Sequence, residues 1–400
     1  MFRTIEELTA GTTVLTRVDL NSPVIDGEVQ DNPRFGRHAE TIDRLADAGN
    51  RVVVMSHQGR PGSDDFVSLD AHAPILEQYL DRPVTFCPEP FGDKATSAIE
   101  GLEAGQVLLL DNVRKADEEM ADRTPEEHAN SAFVRSLAGV ADAYVGDAYS
   151  AAHRAHASIV GLPVAIDDVF AGPVMDAEYT ANTAIVSRTF DGNVVMVLGG
   201  TKADDLIRVI EGVTDRVDTF LLGGVIGELC LRSIGYDVGY DLDGTDIFDP
   251  IWENQRQDIA ELLATHGDRV VLPVDLAYEG SDGERAERAV EGIEKTEPYF
   301  DIGSRTVERF LEEIEGVSAV FVKGALGVFE DERFSNGTVT VLDAIGDSDA
   351  FSVVGGGDTS RAIDLYELDA ARFDHVSIAG GAYVSALANE PLPGVEVLKK

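Results

Sequence analysis

Two kinds of turn follow the apolar runs of this chain, and they suit different jobs. In the first half the runs end in basic residues: Ser56-His57-Gln58-Gly59-Arg60-Pro61, Asp111-Asn112-Val113-Arg114-Lys115 and His153-Arg154-Ala155-His156. In the second half they end in glycines: Gly199-Gly200-Thr201-Lys202, Gly223-Gly224, Gly355-Gly356-Gly357-Asp358-Thr359 and Gly380-Gly381. Arginine meets phosphate or carboxylate with a planar fork of donors. Glycine lets the backbone amides at a helix start come close to a nucleotide's phosphates. A chain that builds both pockets is suited to moving a phosphoryl group between them.

A single His or Arg after a strand is ordinarily a loop residue or a cap. Here His57 with Arg60, then Arg114, then Arg154 repeat the pattern in a chain with only 32 basic residues, and the recurrence favours an anion pocket. Asp19 and Asn21, in Arg17-Val18-Asp19-Leu20-Asn21, could hold substrate hydroxyls, although taken alone they read more readily as Asx-turn residues. Arg34, in Asn32-Pro33-Arg34, gains meaning only beside the others, and His153 and His156 read as structural or orienting. On the glycine side, the spacing of Gly199-Gly200-Thr201-Lys202 is not that of a Walker loop. Lys202 can still reach a phosphate as a point charge. Gly356, Gly357, Asp358 and Thr359 open a helix, an amide nest for phosphate with Asp358 placed to approach a magnesium ion through the nucleotide. No serine–histidine–aspartate set, metal cluster or isolated carboxylate pair stands out. An alcohol acceptor would call for a general base, whereas a carboxylate is already ionised at neutral pH. The missing base points to acyl-phosphate chemistry.

The elements that must position these residues alternate throughout. Apolar β-branched runs predict strands over 12–18, 51–56, 106–110, 143–146, 193–198, 219–222, 269–272, 319–322, 351–354 and 375–378. Helical patterns fall over 37–47, 74–80, 125–137, 249–264 and 306–314, and Asp26-Gly27 marks a tight hairpin. Continuous apolar strands between helices predict an α/β protein with open parallel sheets, whose ligands bind beyond the carboxyl ends of the strands. Gly161-Leu162-Pro163 and Gly172-Pro173 punctuate the middle, so the division is expected at 1–172 and 188–390, joined by a helix over 173–187. Two such lobes, each a mostly parallel sheet flanked by helices, would enclose a hinge-bending cleft.

Composition bounds the rest. Mean hydropathy near zero and 44% hydrophobic residues fit a soluble globular protein. Two distant cysteines, Cys87 and Cys230, offer neither metal spacing nor a disulfide framework. The start carries no apolar signal core and no run is long enough to span a bilayer, so a cytoplasmic protein is expected. The balance of 73 acidic against 32 basic residues, net −41, would repel nucleic acid and anionic lipid. Such a surface suits molar salt, where the Debye length is about 3 Å and self-repulsion is screened.

Taken together, the motifs resemble those of phosphoglycerate kinases. The likeness runs almost end to end, through Arg17 to Asn21, Ser56 to Pro61, Leu108 to Arg114, Asp147 to Ser158, Gly199 to Lys202, Asp301-Ile302-Gly303, Gly327-Val328-Phe329-Glu330, Gly355 to Thr359 and Leu392-Pro393-Gly394-Val395. The resemblance implies two Rossmann-like lobes and reversible transfer between 1,3-bisphosphoglycerate and ADP, giving 3-phosphoglycerate and ATP with Mg2+. It implies that Asp19, Asn21, Arg34, His57, Gln58, Gly59, Arg60, Arg114 and Arg154 bind the phosphoglycerate. It implies that Lys202, Glu330, Gly356, Gly357, Asp358 and Thr359 bind the nucleotide, with Glu330 at the ribose and Asp358 near the metal. Arg34 and Lys202 would hold the transferring phosphoryl group, the tail 391–400 would return to the first lobe, and a monomer is expected.

The chain departs from the family pattern in places. Leu206 stands where many members have a second lysine, Lys323-Gly324-Ala325-Leu326 replaces the usual Asn-Gly-Pro, Ser150-Ala151 replaces Gly-Thr, and Lys115 replaces a phenylalanine. Lys323 could supply the charge that Leu206 lacks, or be a surface lysine. Two other readings remain open. An anion-binding protein that had lost catalysis would not need Lys202, Asp358 and Glu330, all present here. A nicotinamide-dependent oxidoreductase would need a complete G-x-G-x-x-G with an acid about 20 residues later, which no helix start carries.

Overall fold

The computed structural model describes every residue except Met1, Tyr240, Asp243, Gly244, Ile247, Glu294, Lys295, Thr296 and Lys400. The chain forms two units, Met1–Thr180 with Pro391–Lys400, and Ala181–Glu390.

The first unit is built on six strands in the spatial order Val84–Cys87, Val107–Leu110, Arg51–Met55, Thr13–Arg17, Ala143–Gly146 and Asp168–Ala171. Every neighbouring pair is parallel. The central strands are buried on both faces, which is why they read as unbroken apolar runs. Val14, Val52, Val54, Val107 and Leu109 share one core with Phe35, Ile42 and Leu45 of the helix Pro33–Asp47. That helix starts where the sequence says it should: Asn32 accepts from the Arg34 amide at 3.0 Å and Pro33 takes the first position. Successive crossovers run to one side from Thr13–Arg17 and to the other from Ala143–Gly146. The sheet therefore has its switch point between these two strands, where open α/β sheets take ligands. The C-terminal segment belongs to this unit: Gly394 N–H donates to Ala152 at 2.8 Å, and Leu398 packs against Gly146.

The second unit repeats the plan with the order Val270–Val271, Thr219–Leu222, Val194–Leu198, Ala319–Lys323, Phe351–Gly355 and His375–Ser377, again all parallel. Its switch point lies between Val194–Leu198 and Ala319–Lys323. A separate antiparallel sheet joins Arg285–Ala289, Asp275–Glu279 and Tyr299–Ile302.

The sequence reading differs from this structure in five strands of those sheets and in several helices: the one expected over 173–187 is two, Pro173–Asn182 and Ala184–Ser187, and Asp93–Glu100, Ala203–Val213, Gly224–Ser233 and Asn336–Asp347 were not expected. Val84–Cys87 and Asp168–Ala171 are sheet edges, and Asp275–Glu279 and Arg285–Ala289 are partly exposed, so none shows a continuous apolar run. Tyr299–Ile302 lies within a quoted motif but was not expected as a strand. The helix expected over 125–137 is two, Pro125–Ala129 and Ala132–Ala138, because Ser131 leaves the helix and caps the second piece through Val134 N–H at 3.2 Å. The hairpin at Asp26-Gly27 is present, both residues having positive φ.

Candidate active site

Parallel strands deliver their carboxyl ends to one edge, so the basic loops of the first unit converge. Arg17 closes the strand Thr13–Arg17 and is 1% exposed. Its Nε donates to Ser158 Oγ at 2.9 Å, another nitrogen donates to the Val18 carbonyl, and Nη2 lies 3.3 Å from His57 Nδ1. Behind it, buried Glu119 accepts from the Ser158 amide at 2.7 Å and from its hydroxyl at 2.6 Å. Burial raises the Glu119 carboxyl despite Arg17 and these two hydrogen bonds.

Asp19 sits 3.5 Å from Arg34 Nη1 and 3.7 Å from His57 Nδ1, and accepts from the Asn21 amide at 3.0 Å and from Ser150 Oγ. Burial opposes its charge, but the Arg34 guanidinium and the hydrogen bonds from Ser150 and Asn21 hold the carboxyl well below the usual carboxylate range. Arg34 also donates to the Asn21 carbonyl at 2.8 Å, and Asn21 Oδ1 accepts from Gly59 N–H at 2.9 Å. Gly59 is required here: its φ is +61° and a Cβ would lie 2.4 Å from the Asp65 carbonyl. Gln58 is committed to the fold. Its amide nitrogen donates to Ser22 and Asp65 carbonyls at 2.9 and 3.1 Å, and its oxygen accepts from Ser22 N–H at 2.8 Å.

The remaining cations are crowded. Arg114 is 6% exposed, donates to the Gly59 carbonyl, and is pushed down to about 10 by burial and by Arg154, Arg17 and Arg60. Burial and Arg60 also lower Arg154, whose Nε donates to His153 Nε2 at 3.2 Å. Burial holds the His57 imidazole well below its ordinary value, Arg17, Arg114 and Arg154 reinforcing it against Asp19. His153 is pushed down to about 4 by burial and Arg154, and His156 to about 3 by burial, Arg114 and Arg154. Like charges gathered at a half-buried edge create a field that an anion relieves.

In the second unit the glycine loops lock together through the backbone. Gly199 N–H donates to the Lys323 carbonyl at 2.9 Å, Gly200 N–H to Ala325 at 2.7 Å, and Gly224 N–H to Leu326 at 3.1 Å. Gly324, with φ +85°, comes so close to this turn that a Cβ would lie 2.2 Å from the Gly199 carbonyl. Thr359 is buried and its hydroxyl bridges Gly324 N–H at 3.0 Å and the Gly355 carbonyl at 3.1 Å, so it braces the loop. The helix Gly357–Leu365 starts there, and its first turn carries the N–H groups that a helix leaves without carbonyl partners. Lys202 and Asp358 are exposed and Glu330 pairs with Arg361 at 3.2 Å. Lys323 is not a surface lysine: burial lowers its ammonium, and Asp205, Asp358 and Lys202 all act on it. Leu206 points into the core and is fully buried. Beside these loops lies a cavity of about 110 Å³, walled by Gly200, Gly224, Glu228, Leu276, Leu326 and Val328 among others.

The model of the family described as phosphoglycerate kinase matches residues 5–390. The chain belongs to the phosphoglycerate kinase family. The phosphoglycerate kinase of Halorubrum lacusprofundi is 59% identical over 399 residues, covering 100% of this chain and 98% of that relative. That of Haloarcula marismortui is 54% identical over 400 residues, with complete coverage of both. Among solved structures, phosphoglycerate kinase from Pyrococcus horikoshii superposes with a TM-score of 0.92 at 33% identity, covering 100% of this chain and 98% of that one. The halophilic relatives agree with the acidic composition. In this phosphoglycerate-kinase framework, sequence reasoning missed Arg17, Glu119, Ser150 and Ser158. The sequence did offer one signal, an arginine ending an otherwise apolar strand.

Proposed function

We propose that the chain transfers a phosphoryl group reversibly between 1,3-bisphosphoglycerate and ADP, giving 3-phosphoglycerate and ATP, through the residues assigned here. The observation that carries the assignment is the crowding of Arg17, Arg60, Arg114 and Arg154, where burial and mutual repulsion lower Arg114 and Arg154 although Glu119 and Asp19 act against this. Arg60, Arg114 and Arg154, with neutral His57, bind the phosphate end of the phosphoglycerate. Asp19 and Asn21 take its hydroxyl, Arg34 takes the carboxyl end, and Gln58 and Gly59 hold the loop in shape. On the nucleotide side Gly356, Gly357 and Lys202 receive phosphates, Thr359 supports them, and Glu330 reaches the ribose. The cavity beside Gly200 and Gly224 takes the base.

Arg34 and Lys202 hold the transferring group. Fixed cations stabilise the charge spread over its oxygens in the transition state. The acceptor is a carboxylate, so no side chain has to remove a proton. Asp358 suits Mg2+ because it is an exposed carboxylate close to Gly200, and one carboxylate is enough for an ion held mainly by nucleotide phosphates. When bound, that ion would neutralise phosphate charge.

The protein acts as a monomer in the cytoplasm, and its acidic surface disfavours nucleic acid and membranes; among the described residues no helix is long and apolar enough to cross a bilayer. A coupled assay for ATP formation from 1,3-bisphosphoglycerate and ADP in molar KCl tests the function. Turnover that falls by at least about a hundredfold in Arg34→Ala and in Lys202→Met, with melting preserved, is expected. Undiminished turnover in either variant overturns the assignment.

A further inference from the structure

We propose that Glu228 is a specificity-determining residue for the nucleotide base, pairing through its carboxyl group with the amine-bearing edge of adenine. The inference rests on the reading that the second unit binds the nucleotide. Glu228 lies on the helix Gly224–Ser233, four residues after Gly224, so both face the same side and both wall the cavity. The side chain is 7% exposed, and its Oε2 has no hydrogen-bond partner among the described residues. A buried polar atom left unpaired is costly, and one that walls a cavity can be satisfied by whatever fills it.

Of the other titratable groups on the cavity wall, Asp301 is held by a charge partner through one oxygen, its Oδ1 having no hydrogen-bond partner among the described residues, and Tyr299 lies near an acid. Asp301 Oδ2 accepts from Arg285 at 2.9 Å and from Gly337 N–H at 2.8 Å, and the Tyr299 hydroxyl lies 3.4 Å from Glu297. Burial alone pushes the Glu228 carboxyl up to about 8, with no nearby charge contributing, so at neutral pH it carries a proton. A protonated carboxyl offers one O–H donor beside one C=O acceptor. Adenine offers the complement, an exocyclic amine donor flanked on either side by a ring-nitrogen acceptor. The pairing therefore forms on either edge of the ring. An apolar wall would hold a purine by area alone and would be indifferent to that amine.

The test crosses the base with the side chain. Wild type, Glu228→Gln and Glu228→Met are assayed with ADP and with purine riboside diphosphate, which lacks the exocyclic amine, each with 1,3-bisphosphoglycerate in molar KCl. Wild type should favour ADP in kcat/KM by about tenfold, and Glu228→Gln, which keeps one donor and one acceptor, should retain that preference. Glu228→Met should bring the ratio close to one, chiefly through a higher KM for ADP. Equal use of both nucleotides by wild type overturns the proposal, as does an unchanged ratio in Glu228→Met. Should Glu228→Met fail to fold, loss of the preference in Glu228→Gln would overturn it and retention would support it. Absence of turnover by wild type with ADP would instead refute the kinase reading.

Discussion

Arg114 occupies a place that suits a lone cation poorly. It is almost wholly buried, surrounded by Arg17, Arg60 and Arg154, and its Nε has no partner among the described residues. Arg114→Met is expected to raise the KM for 3-phosphoglycerate by about tenfold or more, yet leave the ligand-free melting temperature level or higher. Steady-state kinetics reads the first effect and calorimetry of the ligand-free protein reads the second. Lys323 presents the same logic on the nucleotide side, where burial works against its charge while Asp205 and Asp358 sustain it. Lys323→Met should lower kcat about tenfold with little change in melting, and unaltered turnover would defeat this role. The histidines add a pH dependence. His153 and His156 are held to about 4 and about 3, below the ordinary histidine value. The unfolded chain therefore takes up their protons first as pH falls, so stability drops from about pH 6.5 downward and continues to fall toward pH 3 to 4. His156→Asn should flatten the decline in melting temperature between about pH 7 and pH 5.

Helices in this protein are pinned to strand ends by buried acids. Asp147, just after the strand Ala143–Gly146, accepts from Val174 and Met175 N–H at 2.9 and 3.2 Å, anchoring the first turn of the helix Pro173–Asn182. It also accepts from Thr41 Oγ1 at 2.8 Å and pairs with His38 Nδ1 at 2.9 Å, both on the helix that carries Arg34. Gly172 follows from this arrangement, since a Cβ there would lie 2.1 Å from Asp147 Oδ1. Asp147→Ala should cost about 2–3 kcal/mol, because it strands several donors at once. Urea titration of the variant checks this, and a loss under about 0.5 kcal/mol would show that the two helices are held by apolar packing alone. Asp275 has the same role in the second unit, accepting from Arg305 and Thr306 N–H at 3.1 and 2.8 Å.

Across the molecule, 73 carboxylates face 32 bases. Self-repulsion of that size weakens a compact state wherever the Debye length reaches neighbouring charges, and it fades as salt shortens that length to about 3 Å. The melting temperature is expected to rise steeply between about 0.1 M and about 3 M KCl. A flat response would mean that the surface carboxylates are already neutralised by pairing. The salt effect is weaker on Arg17, Asp19 and Arg114, because these charges are buried and screened far less.

Much of this protein was legible because its strands are central and parallel. Burial on both faces forces unbroken apolar runs, and the residue types after each run, basic in the first half and glycine in the second, set the two groups of loops apart. So the sequence alone determined the α/β class, most strands and the family that the loops after them resemble. Edge strands such as Val84–Cys87 and Asp168–Ala171 escaped because one neighbour is missing and the apolar run shortens. Burial and pairing of single side chains are properties of three-dimensional neighbourhood, and only the tertiary structure decided them. Gln58 and Thr359 turned out to be braces because their polar atoms are consumed by nearby backbone. Arg17 and Glu119 emerged as a buried ionic support, and Glu228 as an unpaired acid on a cavity wall, because partners far apart in the chain fix the dielectric and hydrogen-bond supply around each group.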